Sequence, residues 1–366
     1  MTIRHPRRLP LLALGMVALL TGLWAGLARL GWDVPGPRPG FSSLHGPLMA
    51  AGFLGTLISL ERAVALGRLW AYSAPLLTGL GAVGLILGAP LSIAQGLILA
   101  GSVGLVAIFA AIIRRHPALY TYTMGGGAMV FALGNLLWFL GWPVFLVVFW
   151  WAAFLVVTIA GERLELARLQ QVTTVAQATF FLLLATLLAG LLLLGWWFDG
   201  AVRLFGAGLT GLALWLSLND IARRTVRQAG LTRFIAVCLL SGYVWLGLSG
   251  LAAMVYGGVP VGPQYDVILH AFFLGFVFAM IFAHAPIIFP AVLGARMTYR
   301  PLFYAHMVLL QITLLIRLGG DVAGWGPGRQ VGGLLNAVTL VLFLANTVTA
   351  LGSLPDRPAV TIRPQS

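Results

Sequence analysis

The 366-residue chain has no lysine, a single cysteine and only nine acidic residues, and charged residues make up 8% of it. Soluble domains carry roughly 25% charged residues, so a water-exposed globular surface is excluded. Cys238 lies inside an apolar run, which rules out a disulfide framework and any cysteine-based metal or redox motif; it reads as a small buried side chain. There is no Gly-rich phosphate loop, no nucleophile elbow and no His-Glu-x-x-His zinc motif, so the sequence offers nothing for those three chemistries.

What the chain does have is apolar length. Hydrophobic residues make up 60% of it, and all 22 basic residues are arginine, giving a formal net charge of +13. In a soluble protein that charge would suggest nucleic acid. Here the arginines fall in short loops between apolar runs, so they report membrane topology; a lipid bilayer is the expected partner and nucleic acid is not.

With about 20 apolar residues per crossing, the sequence divides into twelve spans, at 9–30, 42–62, 70–89, 92–113, 119–141, 143–161, 174–197, 201–218, 233–256, 265–289, 301–318 and 331–352. Gly, Pro and charge clusters such as Pro35–Gly40 and Gly257–Pro263 mark the breaks. The first run, preceded by Arg4, Arg7 and Arg8, is as long as a full span and lacks a small-residue cleavage site, so it reads as a retained helix and not as a signal peptide. If the N-terminus is cytoplasmic, only Arg29, Arg38, Arg203, Arg317 and Arg329 fall outside; the other seventeen, Arg4, Arg168, Arg357 and Arg363 among them, fall inside. That bias predicts an all-α, twelve-helix polytopic protein with both termini cytoplasmic, residues 1–366 forming one transmembrane domain in a bacterial inner membrane.

Four of the six histidines lie in spans. His45 is near the outer end of the second and His270 near the outer end of the tenth, so the two share a depth; His284 and His306 share one toward the inner side. Fourteen residues separate His270 from His284, a rise of about 21 Å and a net rotation of ~40°, so both can face one bundle interior. A polar group in hydrocarbon needs a hydrogen bond, a metal or a cavity. Interhelical hydrogen bonding satisfies that need, and so does ligation of a haem or metal by neutral imidazole. Phe272, Phe273, Phe276, Phe278 and Phe282 surround the tenth-span histidines, Gly275 offers room for close approach, and Met49 and Met280 are thioethers able to bind copper(I) or to fill core. Arg38, Arg317 and Arg329 in the outer loops suit haem propionates. Asp266, one turn before His270, can orient an imidazole or start the helix. Glu61 and Arg62 mark the inner mouth of the second span, and Gly125–Gly127 permit close helix approach.

Twelve spans, His45 in the stretch His45-Gly-Pro-Leu-Met49, and His270 near the outer end of the tenth span make the chain resemble the catalytic subunits of the heme-copper oxidase superfamily. The closer likeness is to their reduced relatives, the NnrS-type membrane proteins associated with nitric-oxide stress and denitrification. The resemblance implies a low-spin b-type haem held by His45 and His270, with propionates on Arg329 and less firmly Arg317. It also implies limits. The oxidases bind copper through histidines of the sixth and seventh helices, where this chain has none, and carry a second haem ligand where it has Ile268. Oxygen reduction is therefore not expected. The expected role is electron transfer, or binding of nitric oxide or another small gas, with a redox partner as electron donor and a second haem or copper at His284 and His306. A twelve-span transporter or channel, or a non-catalytic subunit of a redox complex, also accommodates the pattern.

Overall fold

The computed structural model of the chain describes residues 5–167 and 173–352. Arg4, Arg168, Arg357 and Arg363 lie outside the described residues. Among the described residues twelve long helices follow one another: α1 (Leu9–Arg29), α2 (Phe41–Leu66), α3 (Ser73–Leu87), α4 (Leu91–Arg115), α5 (Leu119–Phe139), α6 (Val144–Ala167), α7 (Thr174–Leu193), α8 (Phe198–Asn219), α9 (Gly230–Tyr256), α10 (Pro263–Leu293), α11 (Phe303–Val322) and α12 (Gly326–Ala350).

Eleven of the twelve are long and apolar enough to cross a membrane. The exception, α5, is a continuous 21-residue helix without a charged residue, but Tyr120, Tyr122, Gly125–Gly127 and Asn135 dilute its hydropathy. The protein is thus an all-helical, multi-pass membrane protein.

Burial separates the helices sharply. The central windows of α2, α6 and α10 are 61%, 78% and 67% buried, while the other candidate spans lie between 28% and 56%. These three pack on one another and form the centre, and the remaining helices surround them. Counted along the chain, the three lie four helices apart. Gly127 does serve close approach: a Cβ there would lie 2.6 Å from Thr158 Oγ1, so α5 and α6 meet through it.

The tenth helix extends beyond its expected end, to Leu293, despite Pro286 and Pro290 within it. Its last carbonyls are occupied by the chain's own beginning: Arg8 Nη1 donates to Ala291 and Val292, each at 3.2 Å, and the His5 amide donates to Leu293. Beside this corner, Arg296 and Met297 pair antiparallel with Gly352 and Leu351. The first and last described residues therefore sit at the same end of the bundle.

Two helices depart from regular α geometry. A π-helical turn covers Leu48–Leu54 in α2, and another covers Ala271–Val277 in α10. His45 lies three residues before the first and His270 immediately before the second. Such turns carry one extra residue per helical turn and re-aim the side chains around them.

Candidate functional site

Six helices enclose a cavity of about 360 Å³ at the end of the bundle that holds the loop between α9 and α10. That volume lies within the ~300–1,000 Å³ range of cofactor and ligand sites. Its floor is apolar, from Leu54, Phe278 and Leu340; its walls carry His45 and His270; its rim carries Arg29, Asp266, Arg317 and Arg329.

The two imidazoles face one space. Their ring centroids are 6.1 Å apart and the planes differ by 15°. Both rings are held by Nδ1. His45 Nδ1 lies 2.8 Å from the Gly22 carbonyl on α1, an approach open only because Gly26 has no side chain: a Cβ there would lie 2.7 Å from that nitrogen. His270 Nδ1 lies 3.1 Å from the Asp266 carbonyl, and 3.1 Å from its carboxylate Oδ1. An Nδ1–H that donates outward fixes the tautomer with Nε2 free to bind a metal. Among the described residues no hydrogen bond reaches Nε2 of either ring.

A metal about 2 Å from each of two imidazole nitrogens, with ~1.1 Å more to each ring centre, sets coaxial centroids roughly 6 Å apart. The observed separation agrees. A large planar group also needs polar partners at its edge, and the rim holds unsatisfied donors. Asn336, which lines the cavity, accepts from Thr313 through Oδ1 at 2.7 Å, while its buried Nδ2 has no partner among the described residues. Arg329 approaches Asp321 at 3.1 Å through Nε, but the alignment leaves Nε and both Asp321 oxygens without a formed hydrogen bond. Histidines, orphaned donors and an apolar floor fit a haem.

Arg317 is not the loop residue the sequence suggested. It lies within α11, is 7% exposed and makes a two-pronged ion pair with Asp266, Nε to Oδ2 and Nη2 to Oδ1, both 2.9 Å. Arg38 lies apart from the cavity: its Nη2 donates to the Leu85 carbonyl at 2.7 Å near the end of α3, and it is not among the cavity-lining residues. Phe273 and Phe278 line the cavity, but Phe272, Phe276 and Phe282 do not, and the space beside Gly275 is filled by Trp245 of α9.

The inner histidines are not brought together. His284 Nε2 lies 3.3 Å from Arg163 Nη2, and its Nδ1 lies 2.7 Å from the Met280 carbonyl. The arginine can only donate, so Nε2 accepts and Nδ1 carries the proton; both nitrogens are committed. His306 stands in an aromatic enclosure of Phe234, Phe282, Phe303 and Phe343, with Nδ1 3.2 Å from Asn346 Nδ2. No ring contact or hydrogen bond joins the two. Among the described residues no group of three or more His, Cys, Asp or Glu could hold a metal ion.

Sequence reading missed what surrounds His284. Arg62 pairs with Glu61 and Glu162; Arg163 lies 3.8 Å from Asp220, which accepts the Tyr243 hydroxyl at 2.9 Å. These groups come from α2, α6, α9 and the end of α8. No spacing in the sequence links them; the only signal was the presence of charges at span ends.

The fold and the cavity define a class: a polytopic helical membrane protein with a histidine-lined pocket at one end of its bundle. Residues 8–351 match the family described as Domain of unknown function (DUF8744), and the chain belongs to that family. No curated protein matches it.

Proposed function

We propose that the protein binds a b-type haem in this cavity, with His45 and His270 as its two axial ligands, and that it serves one-electron transfer. The observation that carries the reading is the imidazole pair: parallel within 15°, 6.1 Å apart, tethered through Nδ1 and free at Nε2. When bound, a haem supplies reversible ferric–ferrous exchange. The chain supplies the rest. Gly22 and Asp266 orient the rings, the apolar floor excludes water, and Arg317, Arg329 and Asn336 present donors to the carboxylates at the haem edge.

With His45 and His270 both holding it, a haem would supply electron transfer more readily than capture of nitric oxide or another small gas. Kinship with NnrS-type and heme-copper oxidase proteins belongs to the same reading, supported by the placement of His45 and His270 in α2 and α10. Copper has no place in it. A redox partner as electron donor is part of it, approaching the end of the bundle where Arg29 and Pro260–Gly262 line the cavity. The reading also takes all twelve helices as crossings of a bacterial inner membrane, with both termini cytoplasmic. The arginine bias supports this, as does the shared location of the first and last described residues.

The test is optical. Protein purified in detergent from haem-replete cells should show a Soret band that shifts on reduction, a pyridine haemochrome of the b type, and a reduced spectrum unchanged by carbon monoxide. A colourless protein would refute haem binding. A haem that binds carbon monoxide at once would refute paired ligation.

A further inference from the structure

The two imidazoles are tethered differently. His45 donates to a peptide carbonyl, a neutral acceptor. His270 Nδ1 has a peptide carbonyl too, that of Asp266 at 3.1 Å, but it also sits against a buried carboxylate: Asp266 is 8% exposed, and its Oδ1 lies 3.1 Å from the same nitrogen. That same Oδ1 also accepts Arg317 Nη2 at 2.9 Å, while Oδ2 accepts Arg317 Nε. Arg329 Nη2 stands 4.0 Å away. A chain His270–Asp266–Arg317 thus runs from one ring to the cavity rim. Nearby Asp321, 6% exposed, faces Arg329 and makes no contact with either imidazole among the described residues.

We infer that Asp266 is a positioning residue that makes the two axial imidazoles electronically unequal and sets the redox potential of the bound haem through His270, with Arg317 limiting how much of its charge reaches the ring. The inference rests on the haem reading above. An imidazole whose N–H donates to a carboxylate gains imidazolate character and becomes a stronger electron donor. Such a ligand favours ferric over ferrous iron, because the oxidised ion carries the greater positive charge, and so lowers the potential. A peptide carbonyl does this more weakly. Arg317 competes for the same oxygen, and its two charge-assisted hydrogen bonds draw negative charge away from the ring. The rim arginine is therefore part of the ligand's electronic environment, and a change in its pairing reaches the iron through two hydrogen bonds.

The test is a potentiometric titration of the purified haem protein, followed by ferric electron paramagnetic resonance. Asp266→Asn keeps an acceptor beside Nδ1 and removes the charge. Its midpoint potential should rise by at least a tenfold change in the ferric–ferrous equilibrium, ~59 mV for one electron. Arg317→Gln should move it the opposite way. Asp321→Asn alters an equally buried carboxyl that does not touch the ring, and should shift the potential less than half as far as Asp266→Asn while leaving the wild-type g-values unchanged; Asp266→Asn should alter them. If Asp266→Asn does not fold, Asp266→Asn/Arg317→Gln leaves neither charge of the pair uncompensated and should show the same change of g-values. An unshifted potential in Asp266→Asn, or an equal shift in Asp321→Asn, would overturn the inference and leave haem binding standing. A colourless wild-type protein would overturn both.

Discussion

Gly26 decides whether His45 can take its position. A Cβ on residue 26 would lie 2.7 Å from His45 Nδ1 and 2.9 Å from Cε1, and the imidazole would have to leave the Gly22 carbonyl. Gly26→Ala gains about 1 kcal/mol of helix propensity, so the fold should persist while the ligand is displaced; haem-to-protein ratio should fall to less than half of wild type. His284 behaves differently because both its nitrogens are committed to Arg163 and Met280. His284→Ala should leave haem content unchanged and lower stability in detergent by about 1–3 kcal/mol, the usual cost of an orphaned buried partner, measured by thermal unfolding. Arg317→Ala removes the buried partner of Asp266 and should cost about 3–5 kcal/mol in the same assay. At this scale the outer histidines were legible in the sequence, since equal depth on two helices follows from residue spacing alone. Asn336 and the pairing of Arg317 with Asp266 were not, because they depend on which faces of α10, α11 and α12 meet.

At the scale of helices, hydropathy does not rank burial: α6, at 2.4, is 78% buried. The fourth helix has a mean hydropathy of 2.5 and is 33% buried, whereas α2 reaches only 1.4 and is 61% buried. A helix at the centre of a bundle is free to carry His45, Thr56, Ser59, Glu61 and Arg62, because other helices and not acyl chains surround it. The span positions were therefore readable from apolar length, but the central set was not. The fifth helix is less apolar for a mixed reason: Thr121, Thr123 and Asn135 are buried, whereas Tyr122 is exposed. Cysteines placed at 117 and at 141 in a Cys238→Ala background should react with a membrane-impermeant maleimide from opposite sides of the membrane. Labelling of both from one side would show that α5 does not cross, and would reverse the orientation of every helix after it.

Across the whole molecule, among the described residues, the acid–base pairs held inside the bundle gather in two places, while the exposed pair Asp199–Arg203 lies outside both. One is the cavity rim, with Asp266, Asp321, Arg317 and Arg329; the other is the ion-paired cluster of Glu61, Arg62, Glu162, Arg163 and Asp220 on the arginine-rich side. Between them lies the apolar interior, including Phe53, Phe131, Phe154 and Phe276. The inner cluster engages His284 through Arg163, and the haem proposed above has its site in the outer cavity. Reporter fusions to each terminus should both read cytoplasmic.

The central claim, that His45 and His270 jointly hold a haem, is tested most directly by haem content in single-alanine variants. His45→Ala and His270→Ala should each fold, run as one species in detergent and lose the low-spin spectrum, while His284→Ala and His306→Ala retain it. Full haem content and an unaltered low-spin spectrum in either outer variant would contradict the account.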